Sequence, residues 1–352
     1  MSNHGMWLKS ALVGLVCVAA QATHTPGHEG KGITMGGSFE GGYNYFWTSG
    51  VNDSQFLVDH AALSMTGNVS DKTTVVINNA FALRPGNALN AANTASTANY
   101  FSNATLTNGG FVYSNLGAYI SHKCAEGWVT SVGHMRNPFG MEGMWSRYEM
   151  PTYYYSSAYT SAQGLGWNYD LGVKFTLTDM IPGSLELTVA DGHAANPAGE
   201  NKSPALVGRY SYAMKGGDWT FTPVVSAYYS RFSGGPDLGI TAGGMLKMGT
   251  LWVNAEWVMV NRTVNAVKTK NSSIYVEPGM ELGFADVSVK AEYNMNDVNA
   301  TGSNTNDINV GVALSKTYNE KYRIRATYQH TNLSAKVGAH NNDFRLLFGT
   351  TW

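Results

Sequence analysis

Apolar and polar residues alternate one by one along most of the chain after residue 32. The last stretch shows the pattern most clearly: Phe344, Leu346 and Phe348 fall on one phase, and Asp343 and Arg345 on the other. Alternation with a period of two places successive side chains on opposite faces of a β-strand. About sixteen such runs, each about 10–15 residues long, follow one another along the chain. The sequence therefore predicts an all-β protein whose strands have one apolar and one polar face.

The connections between these runs alternate in length, which distinguishes a membrane barrel from a packed sandwich. Connections at one end are short, as at 124–127 and 216–218, whereas most of those at the other end are long. Short periplasmic turns and long extracellular loops are the pattern of outer-membrane barrels. We therefore expect a closed antiparallel transmembrane β-barrel of about 16 strands. The long connections are predicted at 85–109, 141–167, 192–204, 263–272, 297–306 and 332–341.

The composition agrees with a membrane barrel and excludes several other classes. Charged residues make up 13% of the chain, against about 25% in soluble domains. No apolar run after the N-terminus is long enough for a transmembrane helix. The net charge of -1 disfavours a nucleic-acid partner, which requires a basic surface.

The N-terminal residues 1–22 resemble a secretory signal peptide. Lys9 supplies the positive charge, residues 10–19 form the apolar segment, and Ala20 and Ala22 mark a cleavage site after about Ala22. A short N-terminal membrane anchor is the alternative. Residues 23–352 would then form the barrel. Export together with a barrel predicts the outer membrane of a Gram-negative bacterium, with the lipid bilayer as a partner.

Charged residues on the inward phase of the strands are the candidate pore-lining groups. Basic candidates slightly outnumber acidic ones, which predicts at most a mild anion preference; the alternative is that these charges pair across neighbouring strands and leave the pore nonselective. The candidate basic residues are Arg84, Arg136, Lys174, Arg209, Arg262, Lys290, Arg323, Arg325 and Arg345. The inward acidic residues include Glu40, Asp170, Glu186, Glu256, Glu277 and Glu292.

The connection 141–167 is rich in Tyr and Met and poor in charge. Such a loop is expected to fold into the lumen and narrow it; the alternative is a surface loop that packs on neighbouring loops or on another protomer. Aromatic residues near strand ends are expected to form belts at the membrane interface. The assigned belt residues are Tyr43, Trp47, Trp219, Tyr322, Phe348 and Trp352.

The segment Gly133–Gly140, with sequence GHMRNPFG, resembles the Gly-x-x-x-x-Pro-Phe-Gly stretch that enters the constriction loop of Gram-negative porins, including the phosphate-selective porins. The resemblance implies a 16-stranded homotrimeric barrel with an inward-folded loop. It also implies Arg136 and Arg147 as bases of the constriction and Glu142 or Glu149 as the opposing acids. The basic ladder of the phosphate-selective members is not matched, so phosphate selectivity is not implied.

The sequence therefore predicts a porin for passive diffusion of small hydrophilic solutes and ions, with no enzymatic activity, cofactor or metal. A structural or adhesive barrel with a plugged lumen is the main alternative. An outer-membrane hydrolase using His134 is a third. The Asn- and Asp-rich stretch 294–307 is interpreted as a solvated loop rather than a cation site.

Overall fold

In the computed structural model the strands and most turns are described. The described residues are 32–48, 51–84, 110–145, 149–152, 155–156, 159, 169–191, 203–232, 235–264, 267–298, 303–332 and 340–352. The predicted signal peptide, residues 1–22, and Arg147 lie outside these ranges. No helix in the described ranges is long and apolar enough to cross a membrane.

The described residues form seventeen strand segments in one continuous antiparallel sheet. In chain order they are β1 (Ile33–Thr48), β2 (Val51–Ser70), β3 (Thr73–Arg84), β4 (Gly110–Ala125), β5 (Trp128–Arg136), β6 (Tyr169–Leu177), β7 (Ser184–Ala190), β8 (Ser203–Ser211), β9 (Met214–Gly216), β10 (Trp219–Phe232), β11 (Gly235–Met248), β12 (Leu251–Val264), β13 (Val267–Glu281), β14 (Asp286–Val298), β15 (Ser303–Tyr318), β16 (Tyr322–Asn332) and β17 (His340–Thr351).

The sheet closes on itself as a barrel of 16 strands. Segments β8 and β9 both pair with β10, one after the other, so they are two parts of one barrel strand interrupted at Tyr212. Strand β1 pairs with β2 on one side and with β17 on the other. Tyr43 of β1, for example, lies between Phe56 of β2 and Leu346 of β17. Closure leaves no free edge strand, as a sheet in lipid requires. The predicted fold class is confirmed.

The outward face of the barrel is apolar and the buried face is polar. In β17, Phe344, Leu346 and Phe348 are 37%, 48% and 44% exposed, whereas Asp343 and Arg345 are buried. The other strands of the barrel show the same alternation, with exposed Val, Ile and Leu side chains on the outward face. This is the reverse of a soluble protein, and it matches strands that face acyl chains outside and a polar lumen inside.

One irregularity of the alternation corresponds to a β-bulge. Asp59 and His60 are adjacent polar residues that cannot both follow a period of two. In the structure the pairing of β2 with β1 skips from His60 to Val58, and its pairing with β3 is also shifted there. A bulge inserts one residue and lets the alternation resume beyond it.

Two of the connections predicted to be long are short. Strand β12 ends at Val264 and β13 begins at Val267; β14 ends at Val298 and β15 begins at Ser303. The strands continue through polar residues such as Lys268 and Lys270, which are exposed. Polar residues that continue a strand beyond the apolar band look like loop in the sequence, which explains the error. At the opposite end the turns are tight: Gly127 has φ of +69°, and a Cβ there would lie 2.1 Å from the Thr178 carbonyl oxygen.

Candidate pore constriction

The chain leaves β5 through a short turn that directs it onto the buried face of the barrel. Gly140 has φ of +70°, a conformation that favours glycine. Its amide donates to Ser226 Oγ at 2.6 Å, and its carbonyl accepts from Arg209 Nε at 3.2 Å. The preceding Phe139 is buried against Tyr159 and Tyr228, with ring centroids 5.9 and 6.3 Å apart. The Pro-Phe-Gly sequence thus fixes the start of the segment against β8 and β10.

A buried carboxylate on β12 holds the next part of the segment. Glu256 accepts the Met141 amide at 2.8 Å and the Glu142 amide at 3.3 Å, at a 3-10 turn over Glu142–Met144. The hydroxyls of Tyr159 and Tyr275 also donate to it, at 3.2 and 3.4 Å, and the Tyr159 hydroxyl shares its proton with the Phe139 carbonyl at 3.1 Å. Burial, and the Glu256 and Glu142 carboxylates, raise the pKa of Tyr159 well above its usual range, so its hydroxyl keeps the proton that it donates. The Glu256 carboxylate therefore acts as an acceptor for four donors at once.

A second carboxylate, on β13, holds the segment further along. Glu277 accepts both the amide and the hydroxyl of Thr152, at 2.9 and 2.6 Å. Asn254 Nδ2 donates to the other carboxylate oxygen at 3.3 Å. Both oxygens of the Glu277 carboxylate are therefore occupied, one by Thr152 and the other by Asn254.

Two basic residues complete the attachment. Lys290 of β14 forms an ion pair with Glu142 and lies 4.3 Å from the centre of the Tyr275 ring. Arg325 of β16 donates to the Met150 carbonyl at 2.7 Å and pairs with Glu40 of β1. Arg325 is 0% exposed. Described residues of 139–159 thus contact side chains from β8, β10, β12, β13, β14 and β16, all of which belong to the buried polar face.

The predicted pore-lining residues fall into several groups. Among the described strands, alternation places Lys174, Arg209, Glu256, Arg262, Lys290, Glu292, Arg323, Arg325 and Arg345 on the buried face, shared with residues such as Ser131, Thr188 and Leu347. Glu142 is buried in the attached segment, and Glu149 is exposed. The backbone of Arg84 ends β3, but its side chain, like Arg147, lies outside the described part.

The location of Arg136 differs from the prediction. Its neighbour Met135 is buried opposite Asp170, so the alternation puts Arg136 on the other face of β5, with His134 opposite exposed Leu171. As the last residue of the strand, Arg136 turns its guanidinium to the Met144 carbonyl at 2.8 Å. It therefore supports the segment from the rim rather than standing on the inward face. The same phase removes His134 from the buried polar face, which disfavours the hydrolase hypothesis.

Most of the inward charges have partners of opposite sign. Glu186 lies 3.1 Å from Arg209 and 3.8 Å from Lys174. Arg345 pairs with Asp343 at 2.8 Å. The pairs of Glu186 join neighbouring strands, as in the alternative in which lumen charges neutralise one another, whereas Arg345 and Asp343 both belong to β17. Sequence phase identifies the face of each residue, but it does not identify Thr152 and Tyr159 as loop ligands, because their positions depend on how 141–159 folds.

The assigned belt aromatics lie at or near the two ends of their strands. Trp219 and Tyr322 begin β10 and β16 at the short-turn end and are 40% and 46% exposed. The Tyr322 and Phe348 rings stack at 6.4 Å, and Trp352 packs over Gly37. At the opposite end Tyr43 contacts Phe56 at 5.5 Å, and Trp47 stacks on Tyr328 at 5.9 Å. Within the described residues, no group of His, Cys, Asp and Glu is arranged to hold a metal ion.

A closed 16-stranded barrel with an apolar exterior, a polar buried face and a loop attached to that face defines a class: the chain has the fold of outer-membrane porins. The solved structures that it resembles include the outer-membrane channel DcaP of Acinetobacter baumannii (TM-score 0.64, 12% identity, 93% of this chain and 99% of that one). They also include OmpT of Vibrio cholerae in its trimer form (TM-score 0.62, 11% identity, 92% and 100%). An anion-selective porin from Comamonas acidovorans is a further example (TM-score 0.60, 10% identity, 92% and 100%).

These identities are low, so the comparison establishes the fold. No protein-family model matches the chain. No curated protein sequence matches it either.

Proposed function

We propose that this protein is an outer-membrane porin, a water-filled channel through which small hydrophilic solutes diffuse without any reaction. The main support is the segment 139–159, which is attached to one part of the polar buried face by Glu256, Glu277, Lys290 and Arg325. A barrel of about 16 strands is wide enough to leave an aqueous channel. A segment attached to one side of such a ring narrows the channel, and we propose that 141–167 is its constriction loop.

Planar-bilayer recording of the refolded protein tests this proposal. We expect stepwise conductance increases that scale with bulk salt conductivity, as water-filled pores give. Heat-modifiable gel mobility of the reconstituted protein would show that the folded barrel has inserted. If the membranes nevertheless stay sealed, the channel function is rejected.

A plugged structural barrel is the second candidate, and one observation favours it. Arg325, Lys290 and Glu256 are almost completely buried beneath the attached segment, so part of the lumen is filled. The same recording separates the two functions, because a plugged barrel gives no conductance until the segment is removed. Deletion of 146–160 would then open the channel, whereas in a porin it enlarges an existing conductance.

The anion preference expected from the count of basic residues is not part of the proposal. Arg209, Lys290, Arg325 and Arg345 all pair with carboxylates, and a paired charge contributes little to the field in the channel. The reversal potential in a salt gradient measures this directly. A strongly anion-selective potential would show that other basic residues control the passage.

We further propose removal of residues 1–22, location in the outer membrane of a Gram-negative bacterium, and a homotrimer in the lipid bilayer. The supporting observations are the apolar exterior, the signal-like N-terminus and the trimer form of the Vibrio cholerae OmpT structure. N-terminal sequencing of the exported protein and ultracentrifugation in detergent test the first and last of these.

A further inference from the structure

The chemistry of the barrel wall differs between its two sides. Four neighbouring strands, β2 to β5, carry no Asp, Glu, Lys or Arg in the stretches 61–70, 73–83, 110–121 and 128–135, and their charged residues, Asp53, Asp59, Arg84, Lys123 and Arg136, lie outside these stretches. The charged residues of the buried face are instead concentrated on β1 and on the strands from β6 to β17. Among the described contacts of segment 139–159, strands β2 to β5 supply only that of Arg136, at the end of β5, with the Met144 carbonyl. The attached segment and the charges therefore occupy one side, and the other side is neutral.

The inward residues of the neutral side carry hydroxyl and amide groups. In register, Ser64 lies opposite Asn78, and Thr74 lies opposite Ser121, which lies opposite Ser131. The Ser121 and Ser131 hydroxyls are 2.7 Å apart. This is the inward face, because the same row continues through Ser131 to Lys174 and buried Thr188. The alternate residues Ile77, Ile120 and Val132 are exposed on the outside.

Accessibility distinguishes four of the inward hydroxyl- and amide-bearing residues from the charged residues that hold the attached segment. Ser64, Thr74, Asn78 and Ser121 are only half-buried. By contrast, Glu256, Glu277, Lys290 and Arg325 are almost fully buried and hold the attached segment. Solvent therefore reaches these hydroxyl and amide groups more readily than the charged groups beneath the attached segment.

An aromatic ring lies within the neutral wall. Tyr119 is half-buried on the same inward phase, and Gly133 lies directly opposite it. Gly133 has φ of +135°, and a Cβ there would come within 3.0 Å of Tyr119 Cβ. The glycine thus permits the close approach of β4 and β5 at Tyr119. A ring surface next to hydroxyl groups is a chemistry that suits the C–H face and hydroxyls of a sugar.

We infer that solutes pass along the β2–β5 side and that the channel favours uncharged, hydroxyl-bearing solutes, such as sugars and polyols, over ions of similar size. This inference rests on the proposed channel function. A neutral polyol exchanges water for the hydroxyl and amide groups of the wall at little cost. An ion loses part of its hydration in a narrow passage and finds no unpaired opposite charge on that side to compensate.

Two measurements on the complete protein test the preference. In liposome swelling, a neutral pentose should enter at least about threefold faster than a sugar acid anion of similar size. Only the anion loses hydration of a charge without gaining an opposite charge in the wall. In a potassium chloride gradient, the permeability ratio of the two ions should stay within about twofold of unity. Equal entry of the sugar acid, or a ratio far from unity, would overturn the inference.

Substitutions at one position locate the passage. Asn78→Asp should shift the permeability ratio toward potassium by about twofold, and Asn78→Lys should shift it toward chloride by a similar factor, as one charge about 8 Å from a passing ion predicts once salt at about 0.1 M screens it. Asn78→Gln is the neutral control. The double variant Lys247→Gln with Glu281→Gln removes an exposed pair at the short-turn end of β11 and β13, on the other side of the barrel, and should leave the ratio unchanged.

The outcomes distinguish this inference from the proposed function. Absence of conductance in the unmodified protein rejects the channel itself. Conductance with a ratio that is unaffected by Asn78→Asp and Asn78→Lys rejects only the β2–β5 passage. Ser121→Asp repeats the test at a second inward position if an Asn78 variant fails to give a folded, heat-modifiable barrel.

Discussion

Removal of the Glu256 carboxylate should release the attached segment while leaving the barrel intact. Glu256 accepts two backbone amides, from Met141 and Glu142, and two tyrosine hydroxyls, from Tyr159 and Tyr275, at 2.8–3.4 Å. A hydrogen bond to a charged group contributes about 1.5–3 kcal/mol. Two of the four contacts are long, and water replaces part of what is lost, so we estimate a net loss of about 3 kcal/mol for Glu256→Ala. Such a loss multiplies the detached population by roughly a hundredfold.

Trypsin cleavage after Arg147 measures that population, because protease acts on the detached segment. When detachment and reattachment are faster than cleavage, the cleavage rate follows the detached fraction. The same variant should give larger and noisier single-channel currents. Glu281→Ala is the matched control, since that carboxylate pairs with Lys247 at 2.8 Å in an exposed site. Equal cleavage rates and equal currents in Glu256→Ala and Glu281→Ala would refute the role assigned to Glu256.

Three further predictions concern the stability of the barrel, measured by urea unfolding in lipid vesicles. Arg325→Met removes the ion-pair partner of buried Glu40 and should lower the free energy of unfolding by about 3–5 kcal/mol. The double variant Arg325→Met with Glu40→Gln should recover much of that stability. Equal losses in the single and double variants would contradict the pairing. Gly133→Ala should destabilise the barrel by more than about 1 kcal/mol, because its Cβ would lie 2.3 Å from a carbonyl oxygen. Gly67→Ala, where the nearest atom to the new Cβ is 3.9 Å away, is the control. Similar losses of stability in both variants would be inconsistent with a steric cause. Leu346→Arg should cost about 2–4 kcal/mol on a lipid-facing strand, and a neutral effect would show that this face is not in the acyl region.

The strands and their faces were predictable because alternation is a local property of the sequence. The adjacent pair Asp59 and His60 even marked the bulge in β2, since no strand with a strict period of two can accommodate both. The ends of β12 and β13 were not predictable in the same way. A strand that extends past the membrane carries polar residues on both faces, and these look like loop.

The contacts between residues of the candidate site could not be predicted from the local sequence pattern. Arg325 and Glu40 are far apart in sequence and meet only because the barrel closes. Glu256 was recognised as an inward acid, but its role as acceptor for the loop amides depends on the fold of 139–159. Arg136 was predicted to face inward because the even-numbered residues of β5 include Thr130 and His134 and so resemble a polar lumen face, whereas in the structure Met135 is on the buried side.

The pairing of β1 with β17 also has a consequence for biogenesis. The register joins residues 38–48 to residues 341–351, so the first and last strands of the barrel must find each other across almost the whole chain. Until that seam forms, two rows of unpaired amides and carbonyls would face hydrocarbon, which is prohibitively unfavourable. Assembly therefore cannot be completed progressively during export, and the unfinished sheet has to be held by an accessory factor or at the water interface until its final strand arrives.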